Sequence, residues 1–254
     1  MPAVFIGHGS PMNTLAHNRF TQAWSKLGRD VPRPTAVLAV SAHWYIRGTA
    51  VTATQPPQTI HDFGGFPQAL FDFQYPAPGS PALAQRVCEL LAPLAVRADD
   101  EWGLDHGTWS VLAHVFPHAD IPVVQLSMDA TQPPAFHYEL GKRLAPLRDE
   151  GVLILGSGNA VHNLNVLNWS DDAPAYDWAA RFNDLVRDHV QRRAHAPLVD
   201  YKTLGNDARM SIPTPEHYLP LLYIIGLQDE HEPVAVAVDG IQNASISMLS
   251  VVVG

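Results

Sequence analysis

Three apolar runs in this chain each give way to small residues and then to a histidine. Ala3–Ile6 leads through Gly7 to His8, Thr35–Ala42 leads to His43, and Gly151–Leu155 leads through G-S-G-N-A-V to His162. Short continuous runs of Val, Ile, Leu and Ala, bounded by Gly or Pro, read as interior strands. Strands apolar on both faces belong to parallel sheets covered by helices on either side. Parallel strands end on one edge, and ligands bind in the crevice beyond that edge. The pattern predicts an α/β fold with a central, mostly parallel twisted sheet flanked by helices. It places a metal site at the carboxyl ends of the strands. The glycines on either side of His8 are expected to let a ligand or metal approach the ring closely.

The remaining segments fit that frame. Helical spacing predicts helices over Arg19–Leu27, Pro81–Leu94, Thr108–Phe116, Ala135–Asp149 and Ala175–Arg193, with Ser80 as N-cap and Pro81 at the first turn of the second. Further strands are expected at Thr49–Thr54, Ile121–Ser127, Val234–Val238 and Ser245–Val253. Residues 194–212 read as irregular. In P-T-P-E-H-Y-L-P-L-L-Y, Pro213 and Pro215 fix the entry to a helix that carries Glu216 and His217 in its first turn. No repeat or low-complexity linker divides the chain, which predicts one domain over 1–254.

Charge and composition exclude several classes. The net charge of −9 argues against nucleic acid and against an anionic membrane as partner. No apolar run approaches the roughly 20 residues of a bilayer span, and no signal peptide is visible, so the cytoplasm is the expected location. A single cysteine, Cys88, excludes a thiolate-rich zinc site and an internal disulfide. Walker, G-x-G-x-x-G, H-E-x-x-H and G-x-S-x-G patterns are all missing.

Thirteen histidines therefore raise the question of a metal. His8, His43, His162 and His217 stand at the ends of four separate elements, and a divalent first-row metal takes such imidazoles at about 2.0–2.2 Å with positions left open for chemistry. His17, His114, His118, His137, His189, His195 and His231, in helices or loops without flanking glycines, read as surface residues. His106 lies in D-H-G, where Asp105 is placed to orient it. The loop over 55–80 carries Phe63, Phe66, Phe71, Phe73 and Tyr75 and reads either as one wall of a pocket for a flat ligand, with His61 as a polar contact, or as a satellite hydrophobic cluster.

Six ordered blocks together carry a resemblance. G-H-G-S-P-M, S-A-H-W, I-H-D-F-G-G-F-P, W-G-L-D-H-G-T-W, G-S-G-N-A-V-H-N and T-P-E-H-Y-L-P-L-L-Y, spread from residue 7 to residue 223, resemble the successive signatures of the type III (LigB-like) extradiol ring-cleavage dioxygenases, most of all the 4,5-DOPA branch. The resemblance implies that His8, His43 and His217 hold a single Fe(II) or Zn(II). His162 is implied as acid/base or a further ligand, and His106 as a contact to substrate or O2. The wider family uses a carboxylate as third ligand, which sets Glu216 against His217; His217 is the expected ligand. The implied reaction is O2-dependent opening of a catechol ring beside its hydroxyls, with L-DOPA or a similar substituted catechol as substrate. Phe63, Phe66 and Trp44 are expected to flank the ring. Two rival readings are a zinc hydrolase of a small amide or ester and a closed, non-catalytic metal site. The oligomeric state, monomer or small homo-oligomer, is left open.

Overall fold

The computed structural model describes residues 1–170 and 173–254. Among the described residues ten strands are present: β1 Ala3–Gly7, β2 Ala36–Ile46, β3 Thr49–Thr52, β4 Val96–Asp99, β5 Val123–Asp129, β6 Val152–Gly158, β7 Val234–Val238, β8 Ile241–Gln242, β9 Ile246–Ser247 and β10 Ser250–Val253. Eight form one sheet in the order β4-β3-β5-β2-β6-β1-β10-β7, while β8 and β9 pair separately. The centre, β5-β2-β6-β1, is wholly parallel. The joins of β3 to β5, β1 to β10 and β10 to β7 are antiparallel.

The period of two in each central strand divides its apolar residues between two faces. Phe5, Leu38, Val40 and Ile154 point into one core and Val4, Ile6, Val37, Leu153 and Leu155 into the other. The first core is closed by the helices Pro81–Leu91, Pro134–Arg143, Asp177–Gln191 and Leu219–Gly226, the second by Arg19–Asp30 and His106–Val115. Each large apolar side chain buried this way contributes about 1.5–3 kcal/mol. Among the described residues no helix is long and apolar enough to cross a membrane.

Several boundaries differ from the sequence reading for identifiable reasons. The predicted helix over Ala135–Asp149 is two helices, Pro134–Arg143 and Pro146–Asp149; Pro146 has no N–H to continue the first. Residues 194–212 hold short helices at His195–Val199 and Gly205–Ser211. The helix after the Pro213–Pro215 turn begins only at Leu219, so Glu216 and His217 sit in the turn that leads to it. β4 pairs with β3 but shows no sequence alternation of its own, because Arg97 and Ala98 are exposed. His137 is fully buried, against the expectation of a surface histidine, and meets the Tyr223 hydroxyl at 3.0 Å.

Candidate metal centre and cavity

Each central strand delivers its histidine differently. β1 ends at Gly7, and the His8 N–H donates to Gly158 O at the end of β6 (3.1 Å), which fixes the ring over the sheet edge. His43 lies inside β2 rather than beyond it. The β2–β5 register shifts between Val40 and Tyr45, and this irregularity re-aims the side chain. His217 is brought to the same edge by its carbonyl, which accepts from Asn159 N–H at 2.7 Å. The ring centroids form a nearly equilateral triangle: 5.2 Å from His8 to His43, 5.4 Å from His8 to His217 and 5.1 Å from His43 to His217. One ligand atom from each lies within 4.8 Å of the others.

The hydrogen bonds decide which nitrogens are bare. Ser157 has one hydroxyl proton and donates it to Gly107 O. Ser157 Oγ must then accept from His8 Nδ1, 3.0 Å away, so His8 carries its proton on Nδ1. His43 Nδ1 donates to Asp62 Oδ2 at 3.1 Å, and His217 Nδ1 to Glu216 Oε1 at 3.2 Å. In the neutral form of each ring, Nε2 is left as a lone pair. His8 Nε2 and His43 Nε2 face one another at 3.4 Å. Two bare nitrogens that close repel unless a cation or proton lies between them, so the donor set fits a divalent metal whose ligands are oriented by a second layer of acceptors. Burial, with the neighbouring imidazoles, holds His8 and His217 well below the ordinary histidine pKa. Burial also acts to lower His43, but Asp62, Asp105 and Glu216 outweigh it and raise this ring.

His106 and His162 stand beside the triangle in different ways. His106 is the first residue of its helix, not part of a loop. Its N–H and its Nδ1 both donate to Asp62 Oδ1, at 3.0 and 2.8 Å. Asp105 does not orient it: that carboxylate caps the helix at Thr108 N–H and is bonded by Ser41 Oγ and Gln125. The orienting residue is Asp62, which holds His43 with one oxygen and His106 with the other. Burial would raise the Asp62 carboxyl, but the bonds from His106 and His43 more than offset it and keep Asp62 ionised. His162 lies flat against His217, with centroids 3.5 Å apart and planes within 6°. It groups with Glu216 and His217 rather than with His8 and His43. Burial pushes its pKa down to about 4.

A cavity of about 380 Å³ opens over His8, His43, His106, His162 and His217 and is walled by Phe66, Leu164, Leu167, Trp169 and Ile246. Of the aromatic residues expected to flank a ring, only Phe66 lines it. Phe63 packs edge-on to His106, and Trp44 is buried in a stack on Trp102. The loop over 55–80 is chiefly a satellite cluster, in which Phe63, Phe71 and Phe73 surround His61 and Trp109. His61 itself donates to Phe73 O, away from the cavity. Gly7 makes room for protein, since a Cβ there would strike the Ser247–Met248 backbone, whereas Gly9, at a positive φ of 62°, lines the cavity itself and a Cβ there would meet the Met248 side chain and Gln242 Oε1. The sequence reading missed Asp62, Ser157 and the wall at 164–169. Asp62 alone carried a signal, as the one acid in I-H-D-F-G-G-F-P; nothing local marks the others.

A parallel-centred α/β sheet with a histidine triangle, a backed imidazole and an open cavity at its strand ends defines a candidate metal-centred enzyme of the α/β class. The comparisons make this specific. Residues 3–254 match the family model described as the catalytic LigB subunit of aromatic ring-opening dioxygenase. The chain is 55% identical to 4,5-DOPA dioxygenase extradiol of Escherichia coli (strain K12), over 100% of this chain and 95% of that protein. It is 39% identical to the Beta vulgaris protein of the same name, covering 89% and 87% of the two chains. The crystal structure of an uncharacterized protein from Escherichia coli K12 superposes with a TM-score of 0.89 at 50% identity, over the full length of both. The chain therefore belongs to the LigB family of ring-opening dioxygenases, with the 4,5-DOPA extradiol enzymes among its relatives, and it is an oxidoreductase of the extradiol type.

Proposed function

We propose that the chain, acting as one catalytic domain over 1–254, opens a catechol ring beside its hydroxyls with O2, using one divalent metal held by His8, His43 and His217. L-DOPA or a similar substituted catechol is the substrate. The observation that carries this reading is the triangle of bare nitrogens beside a cavity that also holds two further imidazoles, His106 and His162. An Fe(II) or Zn(II) ion held there supplies Lewis acidity and, for iron, an electron route between ring and O2. The reaction breaks one ring carbon–carbon bond and places both oxygen atoms of O2 in the product, a muconate-semialdehyde type compound.

The protein's own work is orientation and proton transfer. With Nδ1–H given to Asp62, His106 presents a bare Nε2 that can take a catechol proton, and the ionised carboxylate behind it stabilises the resulting imidazolium. His162 is neutral near pH 7 and serves as the second proton acceptor, later returning its proton to a leaving oxygen. Phe66, Leu167 and Ile246 exclude water and pack against the ring.

The test is anaerobic loading with Fe(II), addition of L-DOPA, then air, followed by absorbance. A yellow product that needs both iron and O2 is expected, and His8→Ala should abolish it. Turnover of an amide or ester without O2, or full ring cleavage by His8→Ala, would overturn the proposal.

A further inference from the structure

We propose that Ser10 and Asn243 read the tail of the substrate, and that the site selects catechols carrying a zwitterionic amino-acid substituent. This rests on the reading of the cavity as the catechol site. The histidines make the floor of the cavity, and most of the wall above them is apolar. Among the described residues, Ser10 and Asn243 are the two polar side chains of that wall. Each has hydrogen-bonding capacity to spare. Ser10 Oγ accepts from Met12 N–H at 3.2 Å, while its own proton meets no acceptor among the described residues. Asn243 Nδ2 gives one N–H to Asn168 O at 3.2 Å. A carbonyl only accepts, so this bond fixes which end of the amide is nitrogen. The second N–H and Oδ1 have no partner among the described residues.

The backbone holds Asn243 at the right part of the wall. Asn243 and Ala244 have φ of 52° and 64° in the tight turn between β8 and β9, a conformation that Asn adopts more readily than most residues. Asn168 N–H also donates to Asn243 O at 3.1 Å, so two bonds tie this turn to the segment carrying Leu167 and Trp169. Trp169 is 72% exposed, which puts that segment at the cavity mouth. With the catechol hydroxyls at the histidine floor, a substituent para to one of them extends away from the floor, toward the mouth. Solvation then decides which tail fits. A carboxylate leaving water needs donors, and the Ser10 O–H and the second Asn243 N–H are two. An ammonium needs an acceptor, and Asn243 Oδ1 is one. No Lys, Arg, Asp or Glu lines the cavity among the described residues, so a tail of net charge finds no counter-ion there. The zwitterion carries no net charge, and neutral groups of both kinds satisfy its two ends. An alkyl tail would leave the same donors without a partner.

The experiment compares L-DOPA with 4-methylcatechol, dopamine and 3-(3,4-dihydroxyphenyl)propanoate, which lack the polar tail, its carboxylate and its ammonium in turn. Two readouts are taken: dissociation constants by calorimetry on zinc-loaded protein without O2, and kcat/KM with the Fe(II)-loaded protein in air. L-DOPA should bind severalfold more tightly than each of the others. Ser10→Ala and Asn243→Gly should each lower the ratio of L-DOPA to 4-methylcatechol about tenfold in both readouts. Glycine suits the positive φ at 243, so the turn is kept. Asn243→Asp, which sets an anion beside the tail carboxylate, should lower the ratio further. Equal losses for the two catechols in these variants would mark a structural role and overturn the inference. Dopamine or the propanoate binding the unsubstituted protein as tightly as L-DOPA overturns it too. Absence of cleavage with every catechol counts against the dioxygenase reading instead, and the calorimetric order still decides the tail preference.

Discussion

Replacing Ser157 by Ala tests the link between the hydrogen-bond network and the proposed metal centre. Ser157 is fully buried in β6 and passes its one proton to Gly107 O, which obliges its oxygen to accept from His8 Nδ1. Without that oxygen, the Nδ1–H tautomer of His8 keeps a buried donor with no acceptor, at a cost of about 1–3 kcal/mol. The ring can avoid the cost by moving its proton to Nε2, where His43 Nε2 at 3.4 Å accepts it. That escape occupies the lone pair the metal needs. Either way the metal-ready state is disfavoured by the same 1–3 kcal/mol, equivalent to a loss of roughly 5- to 150-fold in affinity. This range brackets the 10- to 100-fold typical of lost outer-layer partners. Zinc affinity measured by competition with a chromogenic chelator should fall by that factor, while near-UV circular dichroism stays native. An affinity within about twofold of the unsubstituted protein would refute the tautomer argument.

Three further substitutions probe other parts of the structure. Asp62→Asn offers one acceptor and one NH2 where two imidazole N–H groups now meet a carboxylate, so one ring loses its orientation; ring cleavage should fall about 10- to 100-fold, measured as kcat at saturating catechol. An unchanged kcat would remove Asp62 from the mechanism. Gly158→Ala places a Cβ 2.2 Å from His217 O and 3.1 Å from Pro220 Cγ. The turn carrying His217 must then shift, costing about 1–3 kcal/mol, or roughly 2–4 °C of Tm per kcal/mol for a chain this size, with weaker metal binding; unaltered melting and metal affinity would contradict it. His137→Gln addresses pH. Burial depresses His137 from 6.5 to about 4, so above pH 6.5 neither folded nor unfolded chain is protonated there. Between 6.5 and 4 only the unfolded chain takes the proton, and stability falls by roughly 3 kcal/mol over that window. The variant should therefore show a slope of unfolding free energy against pH lower by about one proton between pH 6 and 4.5, read from urea denaturation. An identical slope would show that His137 titrates normally.

Much of the architecture was legible in local pattern, and the site less so. Continuous apolar runs reveal buried parallel strands because both faces of each are covered, and β1, β2, β5 and β6 were all visible in that way. Capping and proline placement located the helices but not their ends, as Pro146 and the late start at Leu219 show. His8 and His162 follow their strands as expected. His43 instead owes its direction to a register shift between β2 and β5, which depends on two segments about eighty residues apart.

By itself the sequence determined which residue types stand at the strand ends, and hence the fold class and the histidines available for chemistry. Only the tertiary structure decided which nitrogens are bare, because that follows from the single proton of Ser157, the two oxygens of Asp62 and the position of Glu216. The same holds for the apolar wall at Leu164, Leu167 and Trp169. A side chain's protonation and exposure are set by the groups that fold against it, and those come from parts of the chain that no local pattern connects.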